Sequence, residues 1–473
     1  MHPSALLAAA FLLLSSTATA RFEVNSRGIQ SIPLTQGEGH MVCPKPGRTL
    51  SDAGLSVPPS NSTSAFMKNC QVVNLTSKQV ASLQKNQYIR SVSKLDAARS
   101  QGYSVDNSGK VAATQSSEKE IKGGRSAKDI LGQLRGLIQD SAEKNFSKKE
   151  LAWIMDKNND LSKPLISTNG STLTTRFAAP WSLRMLSNRY PSTGSPLYSY
   201  NYYTRATGKG ISVYVVDTGI IRSTSFNDRI VDAPIFSNDT IRGSHGTTIA
   251  SAIADPWAGA CPECTIVDVK VMEWDGSGSV TNIVRGLEWI YNHAVVGKSV
   301  INLSLSTPRN AFLDDAVATL FAKGIPIFAA AGNFADDACK YSPSASPGVF
   351  SVAATNHRYY PMDFTNSGKC INAFGPGHFL PSAWGGNTWN FVSGSSSAVT
   401  YATSIAAMIL SDPLVQDKSP SGVYLLMLRA ATRHQIYRGP TLDGTETLLL
   451  HSQYMSDGDG KSHSPVPPPK KWF

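Results

Sequence analysis

The chain carries the sequence VSGSSSA at residues 392–398 and continues as VTYATSIAAM at residues 399–408. The small residues leave room for an exposed hydroxyl at Ser396, and the apolar spacing that follows predicts a buried helix. Backbone N–H groups at a helix N-terminus lack partners within the helix and, with the helix dipole, stabilise negative charge. Ser396 is therefore a candidate nucleophile with an oxyanion site beside it, although such clusters more often form a loop with an N-cap.

Two further segments supply a carboxylate and an imidazole. Residues 211–216 form an apolar, β-branched run that ends at Asp217, which predicts a buried strand with a carboxylate at its C-terminal end. Ligands bind at that end of the strands in open α/β sheets. His245 opens a predicted helix of small residues. Each residue alone has an ordinary explanation as a capping side chain, but the order Asp, His, Ser on an alternating pattern favours a catalytic triad.

The region between these residues alternates between strands and helices, as a parallel sheet requires. Helix 279–293 has apolar residues at 3.6-residue spacing, so one of its faces packs on the sheet. The sequence therefore predicts an α/β fold with a doubly wound parallel sheet. The predicted strands are 211–216, 265–272, 299–306 and 325–331, and the predicted helices are the one after His245, 279–293 and 311–323.

Taken together, these motifs resemble those of subtilisin-type serine proteases, and in detail those of the proteinase K-like branch. Asp, His, Ser is the known chain order of the subtilisin triad. The resemblance covers residues 178 to 412, about half of the chain. It is carried by VDTGI at 216–220, HGT at 245–247, VINLSLS at 300–306, AAGN at 330–333, YSPS at 341–344, FGPG at 374–377 and GSS at 394–396.

The resemblance implies a serine endopeptidase in which Ser396 attacks the peptide carbonyl, His245 transfers the proton and Asp217 orients the imidazole. It also implies an oxyanion site made by the backbone N–H of Ser396 and the side-chain amide of Asn333. The substrate would be a peptide or protein bound as an added strand. Two edges of the protein would pair with this strand. One edge would be formed by Gly276, Ser277 and Gly278, and the other by Ser304, Leu305 and Ser306.

The nucleophile segment departs from the family pattern. Relatives usually have methionine and proline where this chain has Ser397 and Thr400, and Ser395 and Ser306 replace a threonine and a glycine. Losing the proline removes a rigid helix start, which predicts a looser helix and lower activity. Ser306 is expected to narrow the mouth of the primary specificity pocket. The alternative to an active protease is a weak or inactive subtilase-fold protein that binds peptides.

The composition indicates an exported globular protein. The chain has 473 residues, 41% of them hydrophobic, and a net charge of +10 without long Lys/Arg blocks, which argues against a nucleic-acid partner. Residues 1–20 have the short apolar run and small-residue ending of a secretory signal peptide. No later segment is long and apolar enough to cross a membrane. We therefore expect a secreted monomer without a membrane partner, located outside the cell or in a lytic vacuole.

The rest of the chain divides by composition. Residues 21–100 resemble the small α+β inhibitory propeptide of many subtilases, which would cover the cleft and make the protein a zymogen inhibited by its own propeptide. Residues 101–175 form a polar linker with a helical pair, removed by processing before Ala178. The peptidase domain spans residues 176–450, and residues 451–473 form a disordered Pro-rich tail.

The cysteines suit an oxidising compartment. The resemblance implies a disulfide between Cys339 and Cys370, and Cys43 and Cys70 could pair within the prosegment. The C-x-x-C at residues 261–264 has no second pair at zinc spacing, which favours a local disulfide or two buried thiols.

Subtilases often bind calcium, so the resemblance leaves structural calcium possible, but no acidic cluster can be assigned as its site; no metal ligand and no other cofactor are predicted. Asn302 matches the N-glycosylation pattern but lies in a predicted buried strand, where we expect it to stay unmodified. The candidate glycosylation sites are Asn61, Asn74, Asn145, Asn169 and Asn238.

Overall fold

The computed structural model divides into two compact units, Met1–Leu95 and Asp96–Phe473. The motifs that hold Asp217, His245 and Ser396 all lie in the second unit. The predicted signal peptide, the helical pair of the linker and the Pro-rich tail lie outside the described residues. The structure describes residues 38–45, 48–55, 70–94, 97–100, 103–105, 111–113, 125–126, 165–167, 174–187, 200–204, 206–222, 226–386, 388–433, 436, 445 and 447–453.

The first unit is a small α+β fold. Its three strands, β1 (Glu38–Pro44), β2 (Gln71–Leu75) and β3 (Ile89–Lys94), form an antiparallel sheet in the order β2-β1-β3. Helix α1 (Ser77–Gln84) begins with a capping box, in which Thr76 and Gln79 exchange side-chain and backbone hydrogen bonds. Helix α1 lies between β2 and β3 in the chain.

The second unit contains the remaining strands and helices. Its strands are β4 (Ala97–Ser100), β5 (Tyr103–Val105), β6 (Val111–Ala113), β7 (Arg125–Ser126), β8 (Leu165–Ser167), β9 (Thr174–Ala179), β10 (Tyr200–Thr204), β11 (Ser212–Asp217), β12 (Ile230–Asp232), β13 (Thr265–Lys270), β14 (Ser277–Ser279), β15 (Ser299–Leu303), β16 (Leu305–Pro308), β17 (Ile327–Ala330), β18 (Tyr341–Ser342), β19 (Val349–Thr355), β20 (Ala373–Pro376), β21 (Leu380–Gly385), β22 (Thr388–Ser393), β23 (Thr432–Arg433) and β24 (Leu448–Leu449). Its helices are α2 (Trp181–Ser187), α3 (Ser244–Ala254), α4 (Val280–His293), α5 (Ala311–Ala322), α6 (Ser395–Ser411) and α7 (Pro420–Ala430).

A nine-stranded sheet forms the centre of the second unit, in the order β12-β13-β11-β15-β17-β19-β20-β24-β23. Neighbouring strands from β12 to β24 run parallel, and only the edge strand β23 is antiparallel to its neighbour. Every residue of β15, β17 and β19 is buried. Because successive side chains point to opposite faces, the sheet is covered on both faces. The predicted α/β fold with a parallel sheet is confirmed.

The helix that carries Ser396 lies at the centre of this unit. Residues of α6 pack against β15, β17, β19 and β20, and against the histidine helix α3. All of its residues from Ser395 to Leu410 are buried, so this helix is packed on all sides, which explains its Ala- and Ser-rich sequence. None of the helices in the described part of the chain is both long and apolar enough to cross a bilayer.

One predicted strand differs from the structure. The run at residues 299–306 is divided at Ser304 into β15, which belongs to the central sheet, and β16, which does not. The chain leaves the sheet at this residue and forms an edge that pairs with β4 and β18. The substrate edge predicted from sequence therefore starts where the central sheet ends.

Candidate active site

The carboxylate of Asp217 lies at the C-terminal end of β11, a strand in the interior of the central sheet. The residue is completely buried. Its Oδ1 accepts a hydrogen bond of 2.7 Å from the backbone N–H of Thr218. A buried carboxylate needs such partners, because burial without them would favour its protonated form.

His245 is the second residue of α3 and is 3% exposed. Its Nδ1 lies 2.8 Å from Oδ1 and 3.0 Å from Oδ2 of Asp217. A carboxylate only accepts hydrogen bonds, so Nδ1 carries a proton, and in the neutral imidazole Nε2 then has the lone pair. The imidazole is thus held in the tautomer that a general base requires.

The backbone of α3 approaches the strand end closely. The N–H of Gly246 donates to Oγ1 of Thr218 at 3.0 Å, and a Cβ at this glycine would lie only 2.4 Å from the carbonyl oxygen of Gly219. A larger residue at position 246 would push the helix away from β11. The glycine therefore sets the distance between Asp217 and His245.

Two buried charged residues of β13 support the segment that follows Asp217. The Nζ of Lys270 donates to the carbonyl oxygens of Thr218 and Met272 at 3.1 and 2.7 Å. Oδ2 of Asp268 accepts from the N–H of Ile220 at 3.1 Å. Burial raises the pKa of Asp268 although its other partner is an arginine guanidinium. Neither residue was predicted from the sequence as part of the site, although two charges inside the apolar run 265–272 were a signal.

Ser396 is the second residue of α6 and is fully buried, so the exposed hydroxyl that we predicted from the small residues around it is not observed. The helix is preceded by Gly394, whose φ of 151° and ψ of 158° lie in a region that is essentially restricted to glycine. This conformation lets β22 turn directly into the helix. Ser396 therefore lies in the first helical turn, where backbone N–H groups have no partner within the helix.

Oγ of Ser396 and Nε2 of His245 are both buried and have no hydrogen-bond partner among the residues that the structure describes. The structure therefore joins His245 to Asp217, but it does not show a hydrogen bond from Ser396 to His245. Catalytic hydrogen bonds of this kind are often long before substrate binds and tighten in the complex.

Asn333 lies beside the nucleophile. Its Oδ1 accepts from the backbone N–H of Ser395 at 3.0 Å, which ties the amide to the first turn of α6. The opposite end of the amide, Nδ2, carries the N–H groups that an oxyanion would need. The structure thus brings the predicted oxyanion residues Asn333 and Ser396 to adjacent backbone segments.

Asn366 fixes the segment that carries Asn333, and sequence analysis did not identify it. Its Oδ1 accepts from the N–H of Phe334 at 2.9 Å, and its Nδ2 donates to the carbonyl of Ala331 at 3.0 Å. A Cβ at Gly332, where φ is 103°, would lie 2.4 Å from Nδ2 of Asn366. The glycine of the AAGN motif is required by this close approach. No local pattern around Asn366 indicates this partnership.

The two predicted substrate edges flank a strand of the chain itself. In β14, Ser277 and Gly278 pair with Arg99 and Ala98 of β4, and Gly276 directly precedes β14. On the other side, β4 pairs with Leu305 and Ser306 of β16. Both pairings are antiparallel, in the strand order β14-β4-β16.

The remaining predicted edge residues lie around β16. Ser304 directly precedes this strand and is buried, and its Oγ donates to the carbonyl of Ser396 at 3.0 Å. Ser306 is 3% exposed, and its Oγ has no partner in the described part of the chain. Thr400 lies inside the continuous helix α6 and donates its hydroxyl to the carbonyl of Ser397 at 2.6 Å.

All six cysteines form disulfides in the structure: Cys43–Cys70, Cys261–Cys264 and Cys339–Cys370. The C-x-x-C is thus a local disulfide, and both of its cysteines are fully buried. Within the described residues, no three His, Cys, Asp or Glu side chains are grouped as a metal site would need.

Comparison with known proteins gives the same family. Residues 208–450 match the Subtilase family. "Subtilisin-like protease 2" of Pseudogymnoascus destructans is 34% identical over 246 residues, 51% of this chain and 60% of that protein. "Extracellular serine proteinase" of a Thermus species is 36% identical over 285 residues, 58% of this chain and 67% of that protein.

Among solved structures, a cold adapted subtilisin-like serine proteinase is 30% identical, with a TM-score of 0.54. The match covers 59% of this chain and all of that one. The chain spans 50% to 69% of the length of the curated relatives it matches. The residues that match the Subtilase family, 208–450, include the end of β11, the starts of α3 and α6, and the central sheet. The chain therefore belongs to the subtilase family.

Proposed function

We propose that this protein is a secreted serine endopeptidase that is made as a zymogen. The observation that carries the proposal is the contact between Nδ1 of His245 and the carboxylate of Asp217, in a subtilase fold with Ser396 at the start of α6. This arrangement supplies a base with a fixed tautomer and a hydroxyl at a helix N-terminus. The substrate is a peptide or protein chain.

In the proposed mechanism, Nε2 of His245 accepts the proton of the Ser396 hydroxyl as Oγ attacks the scissile carbonyl. The negative charge on the former carbonyl oxygen is stabilised by the backbone N–H of Ser396 and by Nδ2 of Asn333. The imidazolium, stabilised by Asp217, then donates its proton to the leaving amine, and an acyl-enzyme remains on Ser396. His245 then takes a proton from a water molecule as the water oxygen attacks this ester, and it returns the proton to Oγ of Ser396 as the bond to the acid product breaks.

The test is covalent labelling by phenylmethylsulfonyl fluoride after the prosegment has been removed. We expect one adduct, located on Ser396 by peptide mass spectrometry and absent from Ser396→Ala. The matched control is Ser397→Ala, which removes the neighbouring hydroxyl and should still be labelled. If folded, processed protein is not labelled, the protein is a subtilase-fold peptide-binding protein without catalysis.

The zymogen proposal is supported by the position of β4. This strand follows the first unit in the chain and pairs with both edges that would bind substrate. The next described strand, β5, pairs with Ser393, which directly precedes the N-cap of α6. The chain thus occupies backbone hydrogen-bonding positions on both sides of the nucleophile segment. An external peptide cannot form the same pairs while β4 remains in place.

We therefore place the first processing cut between Ser100 and Tyr103. N-terminal sequencing and intact mass of the secreted protein test this position. A Ser396→Ala chain should stay uncut at this point, because the proposed cut uses the enzyme's own nucleophile. Removal of residues 101–175 then needs a second cut before Ala178. A first cut outside residues 100–103 would contradict the proposal that β4 occupies the substrate-binding edges. The result of the labelling test would not be affected.

Secretion is proposed from the signal-like residues 1–20 together with three disulfides, which persist in oxidising compartments. Asn238 is exposed, as a glycosylated residue must be. Asn302, in contrast, is fully buried, and both ends of its amide are hydrogen-bonded. We propose that the secreted protein acts as a monomer.

A further inference from the structure

Four buried residues form a continuous hydrogen-bonded chain behind the nucleophile, which we call the Thr403 chain. It begins at Thr403, whose Oγ1 lies 2.9 Å from Oδ1 of Asn302. Nδ2 of Asn302 donates to Oγ of Ser304 at 2.8 Å, and this hydroxyl donates to the carbonyl oxygen of Ser396 at 3.0 Å. All four residues are fully buried.

The direction of these bonds is determined by the groups themselves. The carbonyl of Ser396 only accepts, so the proton of Ser304 points to it. The hydroxyl of Ser304 then accepts from Nδ2 of Asn302, and the amide oxygen needs a donor at its other end. Thr403 supplies that donor. Because hydrogen bonds in series polarise one another, loss of the first donor weakens the following bonds.

The Thr403 chain links three elements of the proposed active site. Asn302 belongs to β15, which pairs with β11 through Val215, close to Asp217. Ser304 directly precedes the substrate edge β16. Thr403 and Ser396 both lie on α6, about two helical turns apart. The hydrogen bonds therefore fix the rotation of the first turn of α6 relative to the strand ends.

We infer that Thr403 is a positioning residue for the proposed reaction, and that it sets the orientation of Ser396 through Asn302 and Ser304. This inference rests on the proposed function. Thr403 itself is remote from substrate and reacting atoms, so its effect is transmitted through backbone position. A displacement of the Ser396 carbonyl moves both the attacking hydroxyl and the N–H that would bind the oxyanion.

The neighbouring residue Ser404 provides a matched control. It is also fully buried on α6, and its Oγ donates to the carbonyl of Thr400 at 2.8 Å. The hydroxyl of Thr403 has a single proton for two acceptors, the carbonyl oxygen of Val399 at 3.0 Å and Oδ1 of Asn302 at 2.9 Å, so its bond within the helix is shared with the bond to Asn302. Ser404→Ala therefore removes a comparable bond within the helix without touching the Thr403 chain.

The experiment compares Thr403→Val, Thr403→Ser and Ser404→Ala, each made as the full-length chain and measured after processing. The readouts are the second-order rate of labelling by phenylmethylsulfonyl fluoride, kcat and KM for one peptide substrate, and Tm. We expect Thr403→Val to lower the labelling rate and kcat about five- to tenfold, as loss of one hydrogen bond predicts. We expect KM to change less than about twofold, because the substrate edges stay in place.

The serine variant keeps the donor and should restore labelling to within about twofold of the unmodified protein. Ser404→Ala should lower Tm but leave the labelling rate unchanged. The inference is overturned if Thr403→Val is labelled at the unmodified rate, or if Ser404→Ala slows labelling as much. If Thr403→Val does not fold, Ser304→Ala cuts the last bond instead and must give the same slow labelling.

Failure of this inference is distinguishable from failure of the proposed function. If the unmodified processed protein is labelled and Thr403→Val is labelled equally fast, the protein is a serine hydrolase in which Thr403 has only a structural role. If the unmodified protein is not labelled at all, the nucleophile itself is wrong and the inference is overturned with it.

Discussion

The side-chain amide of Asn366 binds the backbone on both sides of Asn333. Oδ1 of Asn366 accepts from the N–H of Phe334 at 2.9 Å, and Nδ2 of Asn366 donates to the carbonyl of Ala331 at 3.0 Å. Asn333 is thereby fixed between two anchored neighbours, while its own Oδ1 is bonded to Ser395. The amide can rotate little, so its Nδ2 donor is preorganised. Preorganised donors stabilise a developing oxyanion without the cost of reorganisation.

Asn333→Asp should therefore keep the bond to the N–H of Ser395 but lose the donor. We expect kcat to fall about 100- to 1000-fold, with KM changed by less than about threefold. Steady-state kinetics on a peptide substrate measures this split. Asn356→Asp is the matched control, because Oδ1 of Asn356 accepts backbone N–H bonds in a turn outside the site. Equal losses in the two variants would mean that Asn333 has only a structural role.

Asp217→Asn should preserve the fold and remove most of the activity. A neutral amide would no longer hold the Nδ1 proton of His245 or stabilise the imidazolium, so kcat should fall by about 10⁴-fold. The variant should also accumulate as uncut chain. Asp228→Asn, at a carboxylate with 84% exposure, serves as control and should process normally. Normal processing of Asp217→Asn would exclude the proposed triad.

Arg99→Pro should slow the removal of the prosegment. Arg99 pairs with Ser277 on one side and Ser306 on the other, so its N–H faces one of two hydrogen-bonding strands. Proline lacks that N–H and is poorly tolerated between two strands. We expect the rate of the first cut to fall at least about tenfold. Gel densitometry at successive times after synthesis measures this rate. Arg99→Ala retains the N–H and should be cut at nearly the unmodified rate, which separates backbone pairing from a side-chain effect.

The protein should lose stability as the pH falls below about 6.5. Burial lowers the pKa of His378, and Nδ1 of this residue lies 3.2 Å from Oγ of Ser393. A folded-state pKa below the unfolded value means that stability is full above the unfolded pKa and is lost on protonation. Tm measured from pH 8 to pH 5 should fall less in His378→Gln than in the unmodified protein. His357, whose pKa burial also lowers, accounts for a remaining slope.

Removal of the Cys339–Cys370 disulfide should lower the free energy of unfolding by about 3–4 kcal/mol, as loop-closure entropy predicts for its sequence separation of 31. Chemical denaturation of the double alanine variant measures the change. The Cys261–Cys264 bond closes a separation of only 3 residues, so the corresponding double alanine variant should lose less. The opposite ranking would show that packing, not chain entropy, determines the contribution of these bonds.

The sequence was sufficient to predict the parallel sheet and to select Asp217, His245 and Ser396 as candidates. Buried parallel strands are continuous apolar runs, and the candidate residues follow or begin such segments, so local patterns indicated their place in the fold. The order of the three residues then matched a known family.

The supporting residues could not be predicted in the same way. Asn302 and Thr403 are 101 positions apart and meet only because α6 packs on β15. Lys270 and Asn366 bond mainly to backbone groups of other segments, and such partners leave no pattern in the flanking sequence. The break at Ser304 was also missed, since the residues on both sides of it have the same strand-like alternation.

Before any cut, β4 is covalently part of the protein whose edges it pairs with. Its effective concentration at these edges is determined by its covalent attachment and not by the protein concentration in solution. A free peptide must therefore compete with a covalently attached strand. Once the bond beyond Ser100 is broken, the strand loses one of its two covalent attachments. Latency in this protein would then end gradually, to an extent that depends on how dilute the solution is and on what other peptides are present.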